Sequence, residues 1–253
     1  MRFTQVLRIK GLSQSLVGLV MAGLLLSGCQ QSPSGDLEAQ VLEILRENPE
    51  VILESVQAYQ QQQQQSQQDS RNEVVQQMRQ SPAQFIGDSP QKGAEASEIV
   101  MLEFSDFQCP FCARASGTVT EFIEKHGDRV TLVYKHLPLV SIHPQALPAA
   151  RASWAAQQQG QFWEYRSALF ENQDRLGDAL YVELAEELDL DMEQFEGDRT
   201  SDASIAAVQT DLELADQLGL TGTPAFFING EAFTGAVSLE EMESVLEQVA
   251  AQQ

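Results

Sequence analysis

The period of hydrophobic and polar positions changes along the chain, and each change marks an element. Ile99-Val100-Met101-Leu102-Glu103-Phe104 is an apolar run too short and too β-branched for a helix, which predicts a strand. Directly after it, Phe111, Ala115, Val119, Phe122 and Ile123 recur at i, i+4, i+8, i+11 and i+12, giving a helix one apolar face. Arg129 to Lys135 reads as a second strand, and a β-α-β crossover makes the pair parallel. A helical block follows, at 145–158, 161–171, 178–188, a short piece near 191–196, and 201–219. Trp154, Phe162, Trp163, Tyr165 and Phe170 supply its core. Ala225 to Ile228 is again a strand, and Asn229-Gly230 is the strongest short hairpin signal, so Ala232-Phe233-Thr234 returns antiparallel. Ser238 and Glu241 form a capping box that opens a last helix, with Met242, Val245, Leu246 and Val249 inward. The order β-α-β, helical block, β-β-α predicts an α/β domain with a mixed central sheet, helices on both faces and an inserted helical subdomain at about 144–219.

Upstream the pattern is different. Residues 81–97 are loop-like, rich in Ser, Pro, Gly and Gln. Before them, residues 37–80 read as a helical arm. Asp36 can cap a first short helix running through Arg46, and Asn48-Pro49 marks a second helix start with proline at its first position. Leu42, Leu45, Pro49, Ile52, Val56 and Tyr59 keep a 3-4-3-4-3 spacing, a heptad seam of under three heptads. Beyond it the pattern dissolves into glutamine, with Gln60 to Gln65 unbroken, and only Val74, Val75 and Met78 restore apolar spacing. Such an arm cannot bury its stripe alone: it docks on the domain behind it or pairs with copies of itself.

Residues 1–28 stand apart from the fold. Arg2, Arg8 and Lys10 form a basic start, and Leu16 to Leu26 is too short to span a bilayer comfortably. The stretch ends in Leu26-Ser27-Gly28-Cys29, which resembles a bacterial lipobox, with cleavage before Cys29 and lipid on its sulfur. Residues 29–36 would then be a lipidated linker. Gln30, rather than Asp, follows the cysteine, and the resemblance to lipoproteins points to outer-membrane sorting on the periplasmic side. Loss of the three leading cations takes the formal charge from −22 to −25. That acidity argues against nucleic-acid binding and leaves membrane attachment to lipid alone.

Of three cysteines, this leaves Cys109 and Cys112 as one pair in an exported chain, with no structural disulfide framework. Two residues separate them at a strand-to-helix join, the pattern of a redox dithiol. Cys109 at a helix N-terminus lies where unpaired N–H groups and the macrodipole favour a thiolate, which makes it the attacking sulfur. Cys112, one turn further in, resolves the mixed disulfide. A zinc site using His126, His136 and His143 competes, but the C-x2-C-x13-H-x9-H-x6-H spacing falls outside the usual range. A purely structural bridge also competes, though closing so short a loop adds little stability.

Cys109-Pro110-Phe111-Cys112 after Glu-Phe-Ser-Asp-Phe, the helical insertion, and Thr223-Pro224 before Ala-Phe-Phe-Ile together resemble the DsbA family of thioredoxin-fold proteins. The resemblance covers Ile99 to the C-terminus, placing a DsbA-like thioredoxin domain at 98–253. The arm, with Glu-Asn-Pro-Glu-Val-Ile-Leu, is similar to N-terminal helices of family members that oligomerise. The resemblance implies a thiol–disulfide oxidoreductase that exchanges disulfides with exported substrate proteins and is served by a membrane redox partner, with no cofactor. It implies that Pro224 is a cis proline facing the dithiol, that Thr223 presents its backbone to a substrate strand, and that Glu103 is a buried acid accepting the Cys112 proton. Phe111 stands where strong oxidases of the family carry His, which implies a less stabilised thiolate and leaves the direction of electron flow open. A non-catalytic peptide or metal-binding chaperone on the same scaffold is the alternative.

Overall fold

The computed structural model of the chain describes residues 34–95 and 97–252, so Cys29 and the proposed signal segment lie outside the described residues. The described chain divides into two compact units at Val56/Gln57, a point inside a long helix.

The first unit holds α1 (Ser34–Glu47) and the opening turns of α2 (Pro49–Gln80). Asn48 interrupts the two helices, and its side-chain amide donates to the Ile44 carbonyl at 2.8 Å. Leu37, Val41, Leu42, Ile44, Val51, Ile52, Leu53 and Val56 are all exposed. Of the seam expected from the sequence, Leu42, Ile52, Val56 and Tyr59 are exposed and Leu45 is half-buried.

In the second unit α2 continues without a break through the glutamines to Gln80, where the sequence pattern suggested dissolution. Glutamine is a good helix former that carries no hydrophobic period, so the helix persists while its signature vanishes. Val74 and Met78, near its end, are buried against the sheet. The segment expected to be loop contains β1 (Gln91–Gly93), a three-residue exposed edge strand too short to show alternation.

The sheet is built from β1, β2 (Ile99–Ser105), β3 (Val130–His136), β4 (Ala225–Ile228) and β5 (Glu231–Thr234), in spatial order β1-β3-β2-β4-β5. β2 and β3 are parallel, joined through α3 (Pro110–His126), and the other pairings are antiparallel. Successive residues of β2 feed opposite faces. Ile99 and Met101 pack with α3 and the last helix, α9 (Leu239–Ala250), while Val100, Leu102 and Phe104 pack against the end of α2 and α8 (Asp202–Gln217). Covered on both sides, the strand reads as a continuous apolar run.

Asn229 and Gly230 turn β4 into β5 with positive φ angles of 44° and 87°, and the Asn229 side chain bonds back to Val100 N and Glu98 O, both at 2.8 Å. The Ser238–Glu241 capping box starts α9 as expected. Between β3 and β4 stand α4 (Ala146–Gln158), α5 (Phe162–Glu171), α6 (Asp178–Glu187), α7 (Met192–Thr200) and α8. Phe162, Tyr165 and Phe170 centre their core, which runs on to Phe107, Cys109 and Cys112. The dithiol therefore sits where this subdomain meets the carboxyl end of β2, the end of an open α/β sheet that binds ligands.

Candidate functional site: a buried dithiol at the head of a helix

Cys109 is the N-cap of α3, with extended backbone (φ −75°, ψ 121°), and Pro110 takes the first helical position, where its missing N–H costs nothing. Both cysteines are free thiols, Cys109 4% and Cys112 0% exposed. Two neighbouring sulfurs in one setting divide their proton affinities. The Cys109 thiol is lowered to about 5, first by the hydrogen bond from Cys112, with burial opposing, and then by the Thr223 side chain and the N–H groups of Cys112 and Phe111. Cys112 is pushed far above an ordinary thiol, first by burial and then by donating to Cys109. One sulfur is prepared as a thiolate and the other as the thiol that stabilises it.

Pro224 follows a cis Thr223–Pro224 bond, and the Thr223 carbonyl lies 3.4 Å from Cys109 Sγ. The two stretches, 114 residues apart in sequence, meet at the reactive sulfur.

Phe111 departs from the expected apolar face of α3. It is 51% exposed, and the Arg114 guanidinium lies over its ring at 4.3 Å. Its i, i+4 spacing to Ala115 is genuine, but the first turn of α3 lies at the domain edge, so the inward stripe begins at Cys112.

Glu103 is fully buried, with both carboxylate oxygens 2.9 Å from Arg166 Nη2. The guanidinium also donates to Ser116 Oγ at 3.0 Å, tying α5 to β2 and α3. Its hydrogen bonds run to Arg166 rather than to either sulfur. A buried carboxylate needs a charged partner, and that requirement is general; what the sequence could not specify is which distant arginine serves.

A set of polar side chains that sequence reasoning missed holds the cysteine loop. Asp106, buried, accepts from Gln108 N at 2.8 Å and Leu139 N at 3.0 Å, and pairs with His143 Nδ1 at 2.7 Å. Gln108 accepts from Gln145 N at 2.7 Å, and Gln173 Nε2 donates to the carbonyls of Phe107 and Cys109 at 2.8 and 2.9 Å. His143, weighed from the sequence as a zinc partner, is thus a clasp on this loop. The only signal in sequence was Asp106 directly before Phe-Gln-Cys, the place for a turn-forming acceptor.

The three histidines occupy three settings. His126 pairs with Glu243 at 2.8 Å and His143 with Asp106. His136 lies buried among Phe107, Tyr134 and Phe162, where burial lowers it to about 3 and keeps it neutral. No group of three or more His, Cys, Asp or Glu side chains able to hold a metal occurs among the described residues.

The chain has recognisable relatives. A family model described as Thioredoxin matches residues 86–248, and one described as Copper resistance protein ScsC N-terminal domain matches residues 36–66. A Na(+)/H(+) antiporter, NhaA 3 of Salinispora tropica, is 34% identical over 155 residues, which are 61% of this chain and 24% of the antiporter. The chain spans about a quarter of the length of the curated relatives it matches. Among solved structures, a thioredoxin-like oxidoreductase from Silicibacter pomeroyi is 27% identical, with a TM-score of 0.61, covering 65% of this chain and 94% of that one. ScsC of Proteus mirabilis in a transitional conformation is 23% identical, with a TM-score of 0.62, covering 90% and 99%. The thiol-disulfide exchange protein alpha-DsbA2 of Wolbachia pipientis is 18% identical, with a TM-score of 0.63, covering 74% and 97%. The last two share the fold.

Proposed function

The chain belongs to the thioredoxin family and is an oxidoreductase with a DsbA-like thioredoxin fold, and on that premise we propose that it exchanges disulfides with exported proteins through Cys109 and Cys112. The Cys109 thiolate attacks a substrate disulfide, or the oxidised pair is attacked at Cys109, and a mixed disulfide forms. When the pair starts reduced, Cys112 gives its proton to Glu103, its sulfur attacks Cys109, and the substrate leaves as a thiolate with the pair oxidised. When it starts oxidised, Cys112 is the leaving sulfur and takes up the proton, and a second substrate thiolate attacks the substrate sulfur of the mixed disulfide, releasing an oxidised substrate and the reduced pair. Thr223 and Pro224 form the wall beside which the substrate strand lies, and Glu103, buried and bonded to Arg166, is the proton acceptor for Cys112.

The observation that carries this reading is the split between the two sulfurs, Cys109 lowered to about 5 at a helix N-cap and Cys112 raised beside it. The test is substrate capture. Cys112→Ala should accumulate mixed disulfides on Cys109 in extracts of exported proteins, and Cys109→Ala should accumulate none. Equal capture by both variants would overturn the assigned roles.

The proposal extends to the chain's setting. Cys29 carries lipid that anchors the protein on the periplasmic side of a bacterial membrane, with the outer membrane favoured, and a membrane redox partner resets the dithiol. No helix among the described residues is long and apolar enough to cross a membrane. The uncovered apolar positions of residues 37–56 pair with copies of the same chain, because a stripe of this extent in water is an association surface.

A further inference from the structure

The glutamine-rich middle of α2 borders the start of the loop that carries Thr223 and Pro224. A cleft of about 580 Å³ opens between Gln61, Gln64, Gln65, Gln68 and Arg71 on α2 and Gly219 at the start of that loop. Gln67 forms a partition, shared with a second cleft of about 380 Å³ against the end of α8.

The position of this cleft relative to the dithiol decides what it could hold. Gly219 has a positive φ of 67°, which glycine adopts without strain, and a side chain there would point at the Gln67 amide, 3.8 Å away. From Gly219 the chain runs Leu220-Thr221-Gly222 to Thr223, whose carbonyl is 3.4 Å from Cys109 Sγ. Four residue steps cover at most about 14 Å of extended chain. A polypeptide bound at Cys109 and following this loop enters the cleft within a few residues.

The lining fits a polypeptide backbone. Each carboxamide offers two N–H donors and a carbonyl acceptor, the same groups that an extended backbone presents. Gln61, Gln64, Gln67 and Gln68 make no hydrogen bond to another described side chain or backbone group, whereas Gln63 and Gln65 are engaged by Tyr59 and Asp69. The wall is also neutral apart from Arg71, in a chain of formal charge −22. A neutral amide wall reads backbone rather than sequence.

We propose that the cleft between the glutamine row of α2 and the Gly219–Thr223 loop binds an extended segment of the substrate polypeptide flanking its cysteine. This proposal rests on the disulfide-exchange reading. Its test compares two substrates of the full chain: an uncharged eight-residue peptide carrying one cysteine as a glutathione mixed disulfide, and glutathione disulfide itself. The variant is Gln61→Ala/Gln64→Ala/Gln68→Ala, which keeps a strong helix former at exposed positions. Read in single turnover of the reduced chain, the expected result is an about tenfold rise in the peptide concentration that gives the half-maximal rate (the KM of that step), with the maximal rate unchanged and the rate with glutathione disulfide unchanged. An unchanged peptide KM, or an equal loss with both substrates, would overturn the cleft. If the parent chain exchanged with neither substrate, the disulfide-exchange reading would fall first and the cleft with it.

Discussion

The chemistry of the site is set by a few side chains whose surroundings push them in opposite directions. Cys109 is lowered to about 5, so its alkylation rate should be flat above that pH and fall about tenfold per unit below it. A midpoint near the ordinary thiol value of about 8.5 would remove the basis for the attacking role. The sign for stability follows. A depressed folded pKa stabilises the reduced form, fully above the unfolded value of about 8.5 and progressively less as pH falls through about 5. The ion pair beneath the site makes a separate prediction. Arg166→Met leaves Glu103 buried and unpaired, which should cost about 3–5 kcal/mol in denaturant unfolding, whereas Glu103→Leu/Arg166→Met should recover much of that loss. At this scale the sequence was informative where partners are local. Cys109, Cys112 and the helix start are read within four residues, but Gln173 and His143 reach the loop, and Arg166 reaches Glu103, from elements far away, and neither spacing nor periodicity carries that information. Phe111 brings no donor, so the lowering of the thiolate rests on Cys112, Thr223 and the helix N–H groups.

Among the elements, the legible ones bury a face with a period. β2, β3, α3, β4 and α9 all show their stripe, and each lies within a few residues of its expected place. Two were illegible for definite reasons: the glutamine stretch of α2 has helix propensity but no apolar period, and β1 is an exposed three-residue edge. The junction of α2 with the β4–β5 hairpin shows how such an element is held. Gly230 has φ 87°, and a Cβ there would meet the Val75 carbonyl at 2.9 Å. Gly230→Ala should therefore destabilise the domain by about 1–3 kcal/mol through positive-φ strain and displacement of α2. A change within about 0.5 kcal/mol in denaturant titration would show that α2 is not seated there.

On the scale of the whole molecule, an acidic chain carries an apolar arm ahead of a redox domain. Charge of −22 opposes association, so any self-pairing must rest on the apolar row. Ile44→Lys/Leu53→Lys should convert a multimer to a monomer in light scattering while leaving the Cys109 titration unchanged. A parent chain already monomeric at micromolar concentration would contradict pairing through the arm. The fold class was legible from the order of elements, because two strands, the crossover helix and the Pro-led β-hairpin leave few topologies open. The mutual placement of the insertion and the cysteine loop was not, since it rests on Asp106, His143, Gln145 and Gln173 meeting across the domain.

The central claim is that Cys109 and Cys112 are a working redox pair, and its most direct test is equilibration of the full chain in glutathione buffers across pH. A thiolate lowered to about 5 lies between that of a strongly oxidising pair (roughly 3.5) and that of a reducing one (roughly 7). The potential at pH 7 should accordingly fall between roughly −120 and −270 mV. Above the Cys109 pKa reduction takes up one proton, so the potential should drop by about 30 mV per pH unit, steepening to about 59 below it. A pair that forms no intramolecular disulfide, or one whose slope stays near 59 mV throughout, would contradict the account.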